Sequence, residues 1–273
     1  RKLSMMLLWP LGLLNIVFKA MKTLCIIQAR MSSTRLSDKV LLPLVGQPML
    51  AYQLQRVKHA KNIDKIIVAT TIKPADDRVE EVALAMGVGC FRGDEDDVLG
   101  RFYHSAREYP DHSIIVRLTG DCPLTDPAVI DATIDHFKAG GFDFAGNVDP
   151  PTFPDGLDVE VFSFEALARA FRETTKASDR EHVTQYLRRY PDIFKRGNVT
   201  APADYSAIRL TVDEATDYEV VKFVAENSGP AAGYLEYINL LEKNPDIKNK
   251  NTAIERNEGL AKSLAAEREK PSI

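Results

Sequence analysis

Apolar and polar positions follow two rhythms along this chain. Thr23–Gln28 (TLCIIQ) is a short apolar run, as expected of a strand buried on both faces, and Ile63–Thr70 (IDKIIVAT), Val88–Phe91 and Ser113–Leu118 (SIIVRL) read as further strands. Between them apolar residues recur at helical spacing. Leu50, Leu54 and Val57 follow Gln47-Pro48; Val79, Val82, Ala83 and Met86 are closed by Gly87. A helix is expected around Val98–Glu108. After Asp126-Pro127, the residues Val129, Ile130, Thr133, Ile134 and Phe137 mark another, ended by Gly140-Gly141. Such alternation with short connections predicts an α/β fold, a mainly parallel sheet covered on both faces. Ligands of such sheets bind outside the carboxyl ends of the strands, where the polar loops 28–39, 92–97 and 119–126 should converge.

From about residue 142 the rhythm changes. Phe142–Asn147 and Leu157–Phe162 read as strands around a Pro-rich turn, helices follow near 164–172 and 179–190, and Ile208–Val212 reads as a further strand. Tyr218, Val221 and Val224 mark the next helix. This part is expected to extend the same sheet and add a substrate-covering subdomain. The chain divides into an N-terminal extension (1–20), a main domain (21–243) and a polar, helix-prone tail (244–273), expected to be a peripheral helix or frayed end. In the extension two basic residues precede an apolar run from Met5 to Phe18, which is short for a membrane span and holds Pro10 and Gly12. It is read as a segment ahead of a start at Met21, with a peripheral anchor or a signal as the alternatives; no stable membrane insertion is expected.

Composition narrows the function. Of 273 residues 45% are hydrophobic and 27% charged, ordinary for a globular protein. A net charge of −4 argues against a general nucleic-acid or anionic-membrane binder, which needs a strong positive field. Cys25, Cys90 and Cys122 are far apart and form no CxxC pair, so neither a disulfide framework nor a zinc site is indicated, and a reducing cytoplasm fits. The sequence leaves a homodimer open.

The loop Gln28–Lys39 (QARMSSTRLSDK) carries three cations, Arg30, Arg35 and Lys39, and four hydroxyls within twelve positions. A triphosphate needs several positive charges and many donors: arginine supplies planar pairs, lysine a point charge, and small hydroxylated residues let backbone N–H groups approach. A solvated basic loop is the bland alternative. Neither GxxxxGKS/T nor GxGxxG is present.

The segment IIQARMSSTRLSDKVLLPLVGQPML resembles the opening of the sugar-activating cytidylyltransferases, including those acting on 3-deoxy-manno-octulosonate and acylneuraminate, and most of all the branch typified by spore coat polysaccharide biosynthesis protein F. FRGDEDDVLGRF (91–102), RLTGDCPLTDP (117–127), FPDGLDVEVFSFEAL (153–167), REHVT (180–184) and RLTVDEATDYEVV (209–221) continue the resemblance in order. It runs from Met21 to roughly Phe223. The resemblance implies a three-layer nucleotide-diphospho-sugar transferase (Rossmann-like) fold. It also implies transfer of CMP from CTP to a sugar hydroxyl, with an acidic sugar for surface polysaccharide the favoured acceptor. By position, Ala29, Arg30, Ser33, Arg35 and Lys39 would hold the triphosphate. This chain has Ser37-Asp38 where the family usually has Pro-Gly, which places a carboxylate beside a triphosphate unless Asp38 points away.

Asp121 follows the strand SIIVRL beside Gly120, a sensible place for a Mg²⁺ ligand next to phosphates, with a turn or cap role as the alternative. Asp213 ends Ile208–Val212 and resembles the family's other metal position; Glu214 and Asp217 read as first-turn helix charges. Lys39, Arg35 and Asp121 are the catalytic candidates. By resemblance Asp97 and Arg101, and also Arg117, lie near the nucleotide, although GDEDDVLGR is equally readable as a solvated run. Asn147, Asp155, Asp158 and Glu160 are candidates for sugar hydroxyls, with Asp158 and Glu160 on one strand face. Arg180, Glu181 and His182 sit at a helix start with Ser178 as a plausible N-cap, Arg180 being a candidate for a sugar carboxylate. His59, His104, His112 and His136 read as surface or packing residues. A glycosyltransferase using a preformed nucleotide-sugar and a non-catalytic nucleotide-binding module are the competing functions.

Overall fold

The computed structural model describes residues 21–33 and 35–269; the expectations for residues 1–20 and the hydroxyl of Thr34 fall outside the described residues. In chain order the first half runs β1 (Lys22–Gln28), a hairpin of β2 (Pro43–Leu44) and β3 (Gln47–Pro48), α1 (Met49–Val57), β4 (Lys65–Thr71), α2 (Asp77–Ala85), β5 (Gly89–Gly93), α3 (Val98–Arg107), β6 (His112–Thr119) and α4 (Pro127–Gly140). The second half runs β7 (Phe144–Gly146), β8 (Glu160–Ser163), α5 (Phe164–Glu173), α6 (Ala177–His182), α7 (Gln185–Arg189), β9 (Arg196–Asn198), α8 (Ala215–Asn227), α9 (Tyr234–Glu242), α10 (Pro245–Lys248) and α11 (Glu258–Glu269).

Seven strands form one sheet in the order β5-β4-β1-β6-β8-β7-β9. The first four are parallel; β8 runs antiparallel to both β6 and β7. Alternation along β1 divides the core. Cys25 and Ile27 pack with Leu50 and Leu54 of α1 and Ile130 and Ile134 of α4, whereas Leu24 and Ile26 pack with Leu99 and Phe102 of α3 and Leu167 of α5. The α/β expectation therefore holds, with helices on both faces. A third cluster, Leu44, Met49, Leu210, Val212, Val221 and Tyr237, ties the hairpin to α8 and α9. No helix among the described residues is long and apolar enough to cross a membrane.

Several expectations shift. The strands foreseen at 142–147 and 157–162 shorten to Phe144–Gly146 and Glu160–Ser163, so Asp158 lies ahead of β8 and shares no strand face with Glu160. Ile208–Val212 is extended but is no strand of the sheet: it meets Asp155 in an isolated bridge, and Leu210 and Val212 bury into the third cluster. The helix foreseen at 179–190 breaks into α6 and α7 at Val183, whose φ is 55°. Ser178 lies inside α6 and does not cap it. The tail forms α10 and α11. It returns to the sheet's carboxyl edge, where α11 packs on α6.

Candidate active site

From β1 the chain moves outward to β4 and β5, then crosses back to β6 on the other side of β1. The carboxyl ends of β1 and β6 thus flank the point where strand order reverses, where a crevice opens. The two departing loops touch there: Gly120 N–H donates to the Gln28 carbonyl at 2.8 Å. A Cβ on Gly120 would lie 2.9 Å from Ala29 Cβ and 3.1 Å from the Gln28 carbonyl oxygen, so only glycine lets the loops approach this closely. A cleft of about 350 Å³ lies above, lined by Ala29, Arg30, Ser33, Arg35, Lys39 and Asp121 among others. The phosphate-binding candidates from β1 and the carboxylate after β6 therefore face one space.

Lys39 is the centre of this space. Its Nζ donates to Asp121 Oδ2 at 2.9 Å, to Asp213 Oδ1 at 2.8 Å and to the Val212 carbonyl at 2.9 Å. Burial opposes the charge on Lys39, yet Asp121 and Asp213 outweigh it and raise the ammonium pKa above its ordinary value. Burial likewise opposes the charge on Asp121, but Lys39 and the Thr119 hydroxyl outweigh it and hold the carboxyl well below the usual range. Both groups stay ionised. Arg35 adds a further cation, 2.9 Å from Asp213 and 3.0 Å from Glu258.

Asp213 is fixed from beneath by Arg209, which the sequence reading passed over. Arg209 is 6% exposed and binds Asp155 at 2.6 Å, Asp213 at 2.8 Å and Asp217 at 2.9 Å. Its pKa moves up: desolvation pulls down, and the three carboxylates prevail. The i, i+4 spacing of Arg209 and Asp213 was the available signal. Glu214, not Asp213, caps α8, in a reciprocal box with Asp217. Asp213 is thereby left to the cleft.

Asp38 has a left-handed φ of 54°, and its carboxylate, half exposed, turns to Arg78 at 3.4 Å. It is absent from the cleft lining, so its charge does not face the phosphate-binding groups. Arg30 lines the cleft and pairs with Glu95 at 3.2 Å; Glu95 also accepts from Ser32 and Lys73.

The remaining candidates separate. Arg101 walls the cleft, but its Nη1 is held by the carbonyls of Asp94 and Glu95. Asp97 caps α3 by accepting from Gly100 N–H at 2.8 Å and pairs with Arg180 at 3.3 Å, off the cleft lining. Arg180 also donates to the Phe171 carbonyl at 3.0 Å and stacks over the Phe171 ring, so it does not line the cleft. Asn147 is fully buried and spends its amide on the Leu157 carbonyl and Val159 N–H, both at 2.8 Å, a structural clamp with no face to a ligand. Arg117 pairs with Glu160 directly across the β6–β8 register, and Glu160 accepts from the Thr184 hydroxyl at 2.7 Å. Glu181 and His182 close one side of the cleft.

A second cavity of about 220 Å³ adjoins the first and shares Arg35, Arg117, Asp121, His182 and Asp213 with it. Asp158, Glu160, Thr184 and Arg188 line its far part, with Glu255 and Glu258 from the tail. A large and a small compartment joined at Asp121 and Asp213 suit two substrates meeting at one reacting centre. Cys122 is buried beside Asp121 and its thiol pKa is pushed well up, first by burial, which leaves it unreactive. No cluster of three or more His, Cys, Asp or Glu side chains arranged for a metal occurs among the described residues. Asp121 and Asp213 nevertheless already converge on one cation, Lys39 Nζ, which fits a pair of hard oxygen donors to a dication whose shell phosphates and water complete.

Residues 24–257 match the family model described as Cytidylyltransferase. The chain is 39% identical over 238 residues to the uncharacterized protein MJ1063 of Methanocaldococcus jannaschii, covering 86% of this chain and 96% of that one. It is 36% identical over 240 residues to the spore coat polysaccharide biosynthesis protein SpsF of Bacillus subtilis, covering 84% and 98%. The solved structure of a cytidylyltransferase from Leptospira borgpetersenii superposes with a TM-score of 0.80 at 36% identity, over 84% of this chain and 98% of that one. With the family model matching most of the chain, including Arg30, Arg35, Lys39, Asp121 and Asp213, this chain belongs to the cytidylyltransferase family and is a nucleotidyltransferase.

Proposed function

We propose that this enzyme transfers CMP from CTP to a sugar hydroxyl in a Mg²⁺-dependent reaction that releases pyrophosphate. The observation that carries the reading is the convergence of Lys39, Arg35, Asp121 and Asp213 where the two cavities join. Arg30, Ser33, Arg35 and Lys39 would hold the triphosphate in the larger cavity, and the sugar would occupy the smaller. The acceptor hydroxyl oxygen bonds the α-phosphorus, the bond from that phosphorus to the α–β bridging oxygen breaks, and pyrophosphate leaves with the electron pair. The hydroxyl proton passes to solvent. Lys39 and Arg35 neutralise charge on the phosphate oxygens, and Arg209 keeps Asp213 aimed at the centre. Mg²⁺ held by Asp121 and Asp213 would supply Lewis acidity and further charge neutralisation.

The name of the Bacillus subtilis relative, a polysaccharide biosynthesis protein, supports a sugar acceptor. Arg180 is spent on Asp97 and Phe171, so an acidic sugar would need another receptor. Arg188 fits: it lines the smaller cavity, lies 3.7 Å from Asp149, and its Nε is buried without a hydrogen-bond partner. The three free thiols and the use of CTP suit the cytoplasm.

The test is a thermal-shift comparison of CTP, UTP, ATP and GTP with Mg²⁺, followed by pyrophosphate release from CTP over a panel of acidic and neutral sugars. CTP is expected to give the largest shift, and chelation by EDTA to stop turnover. No shift with any nucleotide would sink the proposal.

A further inference from the structure

The family match ends at residue 257, and α11 begins at Glu258. The segment leading into it is pinned to the floor of the smaller cavity: Arg256 donates to the Phe153 carbonyl at 3.2 Å and pairs with Asp158. Asn257, at a φ of 60°, then turns the chain back over the opening. Glu258 comes down on Arg35 at 3.0 Å, and Gly259 lines both cavities. Further along, the Ser263 hydroxyl donates to Glu181 at 2.7 Å and lies 3.1 Å from His182 Nε2, while Glu267 accepts from Ser178 N–H at 2.6 Å. A helix outside the shared family core thus crosses the mouth of the site.

Its attachment differs from that of α8. None of the described residues of α11 is buried, whereas α8 buries Val220, Val221, Val224 and Ala225. Helices held by exposed polar contacts open at low free energy, and those with a buried apolar stripe do not. The contact nearest the reacting centre is also electrostatically provisional. Glu258 places a carboxylate on Arg35, a cation the triphosphate reading assigns to phosphate. Arg35 Nη2 is already held by Asp213, so a phosphate would compete with Glu258 for the Nη1 edge, and a triphosphate beside Glu258 adds like-charge repulsion to the competition.

We propose that α11 is a displaceable cover of the active cleft, latched by Glu258 on Arg35 and by Ser263 on Glu181 and His182, which a nucleoside triphosphate opens by taking Arg35. The inference rests on the triphosphate reading above. It makes Glu258 a residue that sets nucleotide affinity, by holding the closed form, without touching nucleotide in the open one.

The test is hydrogen exchange on the full chain with and without CTP and Mg²⁺, alongside calorimetric measurement of CTP binding. Amides 258–269 should exchange faster when CTP is bound, while those of α4 and α8 stay unchanged. Glu258→Gln should speed exchange of α11 without nucleotide and tighten CTP binding about two- to fivefold, the range of a partly exposed ion pair. Ser263→Ala should speed the same amides by releasing the second latch. Slower or unchanged exchange with CTP bound, or weaker CTP binding in Glu258→Gln, overturns the cover alone. Failure of CTP to bind the wild-type chain overturns the triphosphate reading, and the cover with it.

Discussion

Asp121 and Asp213 bond the same ammonium: Lys39 Nζ lies 2.9 Å from one carboxylate and 2.8 Å from the other, although the two residues follow different extended segments. Lys39 is therefore both a candidate phosphate ligand and the charge that lets two carboxylates share a crevice. Replacing it separates the roles. Lys39→Met should lower CTP-dependent pyrophosphate release by about 10²- to 10³-fold, the cost of removing one preorganised electrostatic group. It should also destabilise the fold by about 1–3 kcal/mol, since the carboxylates lose their partner but keep access to water. Steady-state kinetics and urea denaturation measure the two effects. Turnover near wild type would remove Lys39 from the mechanism.

Arg209 acts on the same centre without lining the larger cleft. It carries Asp155, Asp213 and Asp217 at 6% exposure; in Arg209→Met, Asp213 keeps Lys39 and Arg35 and Asp155 keeps Arg256, but the fully buried Asp217 loses its ion pair. A loss of about 3–5 kcal/mol is expected from denaturation. Arg209→Lys restores the charge but not the planar fork that reaches three carboxylates at once. It should recover stability only in part and leave kcat depressed through a loosened Asp213. Full recovery of both by lysine would show that charge alone matters there.

What the sequence revealed, and what it hid, follows from how burial writes itself into a chain. TLCIIQ and SIIVRL were legible because a strand covered on both faces needs an unbroken apolar run, and helices at period 3.6 flank them. Ile208–Val212 alternates apolar and polar residues as a half-buried strand does, yet joins no sheet, because Ile208, Leu210 and Val212 pack on α8, α9 and the hairpin. Asp121 was legible from its place at a strand end beside a glycine. Arg180 was misplaced because a cation at a helix start does not say which way the helix faces. Asn147 was misplaced because a polar residue in a Pro-rich turn reads as exposed until the turn is seen folded inward. Glu258 was missed because α11 buries no stripe that a periodicity could register.

Asp38 appeared in the sequence as a misplaced anion beside the triphosphate loop. The structure gives it a left-handed backbone and a carboxylate directed to Arg78, outside the cleft. Asp38→Gly should then leave KM for CTP within about twofold, since an exposed pair is worth roughly 0–1 kcal/mol. It should hold or raise the melting temperature, because glycine adopts that φ without a side-chain clash. A large fall in KM would mean that the carboxylate does oppose the triphosphate in the working enzyme.

Asp158 offers a prediction with a sign that differs from most carboxylates. Burial, which outweighs Arg256, together with the neighbouring Asp155 and Glu160, pushes its carboxyl up to about 7 from an ordinary 3.8. A raised carboxyl binds its proton more tightly folded than unfolded. Between those two values the folded chain therefore holds more protons, so the stability due to this group falls as pH rises from about 4 to about 7, and is flat above. Asp158→Asn removes the titration while keeping the shape and an acceptor for Arg256. Its melting temperature, measured against wild type at intervals from acid to neutral pH, should gain on the wild type as pH rises through that window. Parallel curves would show that Asp158 titrates near its ordinary value, and that the smaller cavity presents an ionised carboxylate to the sugar at all working pH.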